Sequence, residues 1–191
     1  YQIRDQAPEI LLLANIGMVQ ARQMASAEIE EMVGKVGADA LCVHLNPAQE
    51  LVQPEGDHDF SRGQETFARL VEQLPFPVIA KETGCGISYS TARRLADAGI
   101  KNVDVSGAGG TSWVAVESKR ATGQSLAIAE LMREWGIPTC ASVLLCKKAG
   151  IENIIATGGV SNGLDLAKSL ALGATVCGIA RPILQALKRG G

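Results

Sequence analysis

The sequence predicts an α/β fold built on a parallel sheet, and three observations carry that expectation. Short apolar runs recur at roughly 25 to 40 residues, the repeat of a strand followed by a returning helix. The runs are apolar at successive positions, as strands covered on both faces read. Most of them end in glycine-rich or asparagine-bearing turns that open segments of helical spacing. Six strands can be placed, whereas a closed (β/α)8 TIM barrel needs eight and typically ~250 residues. The 191 residues are therefore expected to form one domain, 1–191, holding about six of the eight βα units, with N-terminal units and a C-terminal helix lying outside it. An open doubly wound sheet is the alternative.

The elements follow in order. Residues 10–15 (I-L-L-L-A-N) read as a buried strand, and 26–36 as a helix with Ser26 as its N-cap and Ile29, Met32 and Val33 inward. The run 38–43 is a second strand ending at His44. A helix over 63–73 turns Phe67, Leu70 and Val71 inward, and a strand over 77–81 ends in Lys81-Glu82. After G-C-G-I-S, Ser88 or Ser90 caps a helix over 91–98. A fourth strand over 102–106 feeds G-A-G-G-T-S-W. Helical spacing over 114–135 is interrupted at Ala121-Thr122-Gly123, so two helices or one broken helix are expected. Beyond Gly136-Ile137-Pro138 a helix covers 141–149, with a short strand over 138–142 as the alternative. Strands over 153–157 and 175–179 flank a helix over 164–171, and the sequence closes just past another helix.

Composition narrows the function classes. A net charge of −2 with scattered basic residues gives no electrostatic footprint for nucleic acid or an anionic membrane. No run approaches ~18 apolar residues, so no membrane span is expected. Five cysteines without a C-x-x-C pair read as reduced thiols, which points to the cytoplasm.

The chemistry concentrates in three places. Residues 43–59 carry His44, Asn46, Gln49, Glu50, Gln53, Glu55 and Asp57, stiffened by Pro47 and Pro54. An ordinary surface loop contains the same residue types, but their variety at the C-terminal end of a strand suits a ligand: imidazole for an anionic group, amides for orientation, a carboxylate for a hard cation such as Mg²⁺. Lys81 places a cation at the end of the next strand. Gly158-Gly159 after the fifth strand, with Ala180-Arg181 after the sixth, describes the phosphate cradle that follows the last two strands of a barrel.

At these residues the chain closely resembles the type 2, FMN-dependent isopentenyl-diphosphate delta-isomerases. The resemblance runs through A-N-I-G at 14–17, H-L-N-P-A-Q-E with Q-P-E-G-D at 44–57, K-E at 81–82, D-V-S-G-A-G-G-T-S-W at 104–113, W-G-I-P-T-C-A-S at 135–142 and the segment beginning A-T-G-G-V-S-N-G at 156. It implies an FMN-binding TIM barrel that interconverts isopentenyl and dimethylallyl diphosphate without net redox change. Reduced FMN and Mg²⁺ are the implied cofactors, NADPH the reductant, and a homo-oligomer, tetramer or octamer, the assembly. Carried over by position, Asn15, Lys81, Ser106 and Thr111 line the flavin, and Gly159, Val160, Ser161, Ala180 and Arg181 hold its phosphate. His44, Asn46 and Gln49 face the substrate, His44 and Gln49 as catalytic groups, and Glu50 binds Mg²⁺. Ser161 stands where the family often has Arg.

Two other readings share the phosphate loops. A different FMN barrel, a hydroxy-acid oxidase or a nucleotide dehydrogenase, needs a late His-Arg pair or an exposed loop cysteine, for which Cys140 is the candidate. A non-catalytic flavin- or phosphate-binding barrel needs neither.

Overall fold

A computed structural model describes residues 3–190. Six parallel strands form one sheet in the order β1-β2-β3-β4-β5-β6: β1 (Leu13–Gly17), β2 (Ala40–Leu45), β3 (Val78–Glu82), β4 (Asn102–Asp104), β5 (Asn153–Ala156) and β6 (Val176–Cys177). Spatial order equals chain order, so every crossover steps the same way. With right-handed crossovers the helices then fall on one face, which leaves the opposite face to close around a barrel interior. A doubly wound sheet would reverse direction at a switch point, and this one does not. The chain is an arc of a parallel β/α barrel.

Side chains on the two faces pack into two separate cores. Leu41, Val43, Val78, Ala80, Val103 and Ile154 join helix residues Ile29, Val33, Phe67, Leu70, Leu95 and Val143 on the outer face. Ala40, Cys42 and Ile79, with Leu13 and Ile155 against them, fill the inner face. Val176, beside Ile155 in the ladder, is 49% exposed.

The helices are α1 (Met18–Gln23), α2 (Ser26–Val36), α3 (Pro47–Glu50), α4 (Gly63–Gln73), α5 (Tyr89–Asp97), α6 (Trp113–Glu117), α7 (Gly123–Leu131), α8 (Thr139–Lys148), α9 (Gly163–Ala171) and α10 (Arg181–Lys188). Helices α2 and α4 run over the residues their spacing indicates. Ser88 caps α5 by accepting from the Thr91 N–H at 3.1 Å.

Several expectations are corrected. The first strand lies at 13–17 instead of 10–15, because the ladder to β2 begins where Asp39 N–H donates to the Leu12 carbonyl at 2.8 Å and the Asp39 carboxylate accepts the Leu12 N–H. Leu11 ahead of it is 73% exposed, so apolarity marked the strand but pairing set its register. Ser26 is the first helical residue, not the cap. Its hydroxyl donates to Gln73 while Glu28 accepts the Ala25 N–H at 2.8 Å. Val71 is exposed, and Thr66 takes its place on the buried face of α4. Helix α1, packed directly after β1, and the single turn α3 went unread. The interruption at 121–123 separates α6 from α7. Pro138 precedes α8, and the strand alternative there reduces to one bridge between Ala108 and Pro138.

Candidate functional site

All six strands point the same way, so every strand-end residue opens on one rim. One row of the ladder joins Gly17, His44, Lys81, Asp104 and Ile155, and puts His44, Lys81 and Asp104 side by side. The Asn15 side-chain amide meets His44 Nδ1 at 3.0 Å, and as the donor it leaves the ring proton on Nε2. Burial, then the Lys81 charge, pushes the His44 pKa down against an upward pull from Glu50. The ring is therefore a neutral Nε2–H donor at neutral pH.

Lys81 Nζ donates to the Glu82 carbonyl at 2.9 Å and lies 3.9 Å from Asp104 Oδ2. Asp104 is buried, and its Oδ1 accepts the Thr157 hydroxyl and the Ser106 N–H, the latter at 3.1 Å. Burial raises its pKa, while Lys81 and these hydrogen bonds lower it.

Above this row opens a cavity of about 700 Å³, lined from the loops after β3, β4, β5 and β6. Lys81, Ser106 and Thr111 face it, as do Gly159, Val160, Ser161, Ala180 and Arg181. Glycine is required where its loops interlock. A Cβ on Gly158 (φ +99°) would lie 2.1 Å from the Gly107 carbonyl oxygen, and one on Gly159 (φ +85°) 2.5 Å from that of Gly109. Thr139 at the start of α8 donates its hydroxyl to the Gly158 carbonyl at 2.5 Å and also reaches the Thr157 carbonyl at 3.2 Å. Among the described residues the N–H groups of Gly159 and Val160 have no backbone acceptor. Arg181 opens α10 on the lining of the same cavity, so these are groups of the kind that suit an anion. The Ser161 N–H and hydroxyl instead donate to Asp165 at 3.1 and 2.8 Å.

The His44 loop flanks the same opening. Asn46 and Gln49 line a small cleft with Gly84 and Trp113, both of which also border the large cavity. Glu50 closes its own loop, accepting from the Asn46 amide at 2.6 Å and the Asp57 N–H at 2.8 Å. Gly56 packs on α3 so closely that a Cβ would sit 1.9 Å from the Glu50 carbonyl oxygen. Gln49 and Gln53 donate to Glu117 Oε1 at 3.2 and 2.8 Å, and Arg120 ties Glu117 to Glu55. Burial pushes the Glu117 carboxyl up, but hydrogen bonds from Gln53, Arg120 and Gln49 outweigh it and hold it below the usual range.

Sequence reading missed Asp104, Thr157 and Glu117. A lone carboxylate inside the apolar run N-V-D-V-S could have flagged Asp104, whereas Glu117 meets Gln53 and Gln49 across 64 and 68 residues. No group of three or more His, Cys, Asp or Glu side chains gathers among the described residues.

Glu82, next to Lys81, is buried, and its Oε2 accepts the N–H groups of Thr83 and Cys85 at 2.7 and 2.5 Å. Burial raises its pKa to about 7, only partly offset by these bonds. A raised folded-state value gives stability that is full below the unfolded pKa and is lost as pH rises through about 7. Glu82→Gln, with its amide oxygen in place of Oε2, should remove most of that slope, and urea titrations at pH 5 and pH 8 check it. An equal slope in wild type and variant contradicts the assignment.

A glycine-rich rim with a strand-end lysine at the C-terminal end of the strands defines the chain as an arc of a parallel β/α barrel whose candidate site lies on that rim. Residues 16–191 match the FMN-dependent dehydrogenase family, and the chain belongs to that family. It is 47% identical over 188 residues to the isopentenyl-diphosphate delta-isomerase of Stutzerimonas stutzeri, covering 97% of this chain and 54% of that protein. The enzyme of the same name from Synechococcus is 46% identical over 189 residues, with the same coverage of each. The one from Ignicoccus hospitalis is 43% identical over 193, covering 98% of this chain and 54% of its own length. The chain thus spans about half the length of these relatives. Among solved structures, a C318A GMP reductase from Trypanosoma brucei matches in fold, with a TM-score of 0.56 and 22% identity over 88% of this chain and 32% of that one.

Proposed function

We propose that this chain carries the flavin and substrate sites of an isopentenyl-diphosphate delta-isomerase, which interconverts isopentenyl and dimethylallyl diphosphate. One observation carries the reading: the His44 to Glu50 segment and the Gly158-Gly159 cradle flank one opening, at 43–47% identity to isomerases of that name. FMN fits the cavity on the structure's own terms, since the glycine cradle has no room for a Cβ, two N–H groups are free for a phosphate, and Lys81 lies at the floor. When bound in its reduced form, the flavin supplies the proton acid and base that an allylic shift requires.

The chain's own residues do the rest. Gly159, Val160, Ala180 and Arg181 hold the cofactor phosphate, while Asn15, Lys81, Ser106 and Thr111 line its ring. Ser161 serves through its neighbours' geometry, because Asp165 occupies its donors. His44 donates from Nε2 to the substrate diphosphate, and Asn46 sits beside it. Gln49, its amide held by Glu117, orients the isoprenoid end. Glu50 offers a carboxylate to Mg²⁺, completed by diphosphate oxygens. NADPH as reductant, a homo-oligomer of four or eight subunits and a cytoplasmic location belong to the same proposal.

The test is to incubate the intact protein with isopentenyl diphosphate, reduced FMN and Mg²⁺; absence of the dimethylallyl isomer ends the reading. Glu50→Gln is expected to raise the Mg²⁺ concentration for half-maximal rate by about tenfold or more, as one anionic oxygen ligand becomes neutral, while FMN stays bound. An unchanged Mg²⁺ requirement removes Glu50 from the metal site.

A further inference from the structure

We propose that Asp104 is a positioning residue that sets the charge balance at the cavity floor, and so governs how strongly the site prefers the anionic reduced flavin over the oxidised one. The inference rests on the FMN reading above and deepens it.

Asp104 is the carboxylate at the centre of the floor. It is only 7% exposed, shares a ladder row with Lys81 and lines the same cavity. One oxygen is spent on the Thr157 hydroxyl and the Ser106 N–H, and the other faces Lys81 Nζ at 3.9 Å. Three parts of the site are thereby referred to one group. Thr157 immediately precedes the Gly158-Gly159 cradle, Ser106 opens the glycine loop that packs against it, and Lys81 is the one cation in the row.

The remaining charged and titratable groups facing the row are His44, Glu82 and Cys42, whose thiol burial pushes up to about 11 and keeps protonated. His44 is held neutral by burial and by Lys81, and the Glu82 carboxyl turns its Oε2 into the N–H groups of the 83–85 turn. Lys81 and Asp104 therefore set the net charge beneath the ligand. An ion pair is close to neutral at a distance, so the lysine attracts an anion above it less than a bare cation would. Two-electron reduction of FMN with uptake of one proton leaves one extra negative charge on the ring system. A buried carboxylate beneath it opposes that form specifically, and a scaffold role alone would not.

The experiment measures dissociation constants of the intact protein for FMN, oxidised and after reduction by dithionite, in wild type, Asp104→Asn and Lys81→Met, with thermal melting alongside. Asp104→Asn keeps the shape and removes the charge. It is expected to raise the ratio of reduced to oxidised affinity by about tenfold, the scale of one charge acting across several ångströms in a partly screened site. Lys81→Met is expected to move the ratio the opposite way. Asp104→Ser, smaller and equally neutral, carries the same expectation if the amide variant is insoluble. A folded neutral variant whose ratio stays within twofold of wild type, even with a lowered melting temperature, overturns the inference and leaves Asp104 a scaffold residue. Wild type that binds FMN in neither state overturns the flavin reading itself, an outcome seen before any variant is compared.

Discussion

Gly158→Ala is expected to abolish measurable FMN binding at micromolar concentrations and to destabilise the protein. The new Cβ would lie 2.1 Å from the Gly107 carbonyl oxygen, a backbone atom that cannot swing aside, and the position has φ +99°, where an L side chain is strained. Relief requires the 107–110 and 157–159 loops to move apart, which also breaks the Gly107 N–H to Thr157 carbonyl bond at 2.9 Å and the Thr139 hydroxyl bond to Gly158. A cost of about 3 kcal/mol in stability follows from strain plus lost bonds. A displacement of about 1 Å at the cradle is worth on the order of a hundredfold in binding. Gly163→Ala, where nothing lies within 4 Å of the added Cβ, is the control and should be nearly silent. Flavin fluorescence titration and urea melts read both effects. Wild-type FMN affinity in Gly158→Ala contradicts the cradle.

Lys81→Met is expected to lower the rate of the proposed isomerisation by about three orders of magnitude, the scale of removing a preorganised charge from a site. It should also cost about 2 kcal/mol at neutral pH, below the figure for a fully buried pair because the Lys81 side chain remains 30% exposed. The pH dependence separates charge from packing. Burial already raises the Asp104 pKa, and losing Lys81 removes its largest downward influence. A raised carboxyl contributes stability that is complete below its unfolded value and disappears as pH climbs through the folded one. The variant should therefore approach wild type near pH 4 and fall furthest behind at pH 7 to 8. A deficit independent of pH would assign the loss to packing.

How much of this was legible in the chain differs by element. Helices α2 and α4 could be bounded because a long amphipathic period and a stop just past the last turn, Gly37 for α2 and Pro75 for α4, fix their extent locally. The strand at 10–15 was misplaced because a fully apolar run has no alternation to give register, which the ladder to β2 and the Asp39 carboxylate decide. Among site residues, Lys81, Gly159, Val160, Ala180 and Arg181 were legible as strand ends and glycine turns, and all of them line the cavity. Asn15 was named too, and its place is against the His44 ring. Asp104 and Glu117 were not, since a carboxylate's meaning lies in its partners. Thr157 lies 53 residues from Asp104, and Gln49 lies 68 from Glu117.

By itself the sequence determined the class of fold, the six strands and the rim of the sheet on which the candidate residues gather, because periodicity and turn chemistry act between near neighbours. Tertiary structure alone decided that the strands run in unbroken order around an arc, that Lys81 sits against Asp104, and that two glycine loops interlock. Those outcomes depend on which distant segments share a face, and no local pattern encodes the distance between atoms that only folding brings within reach.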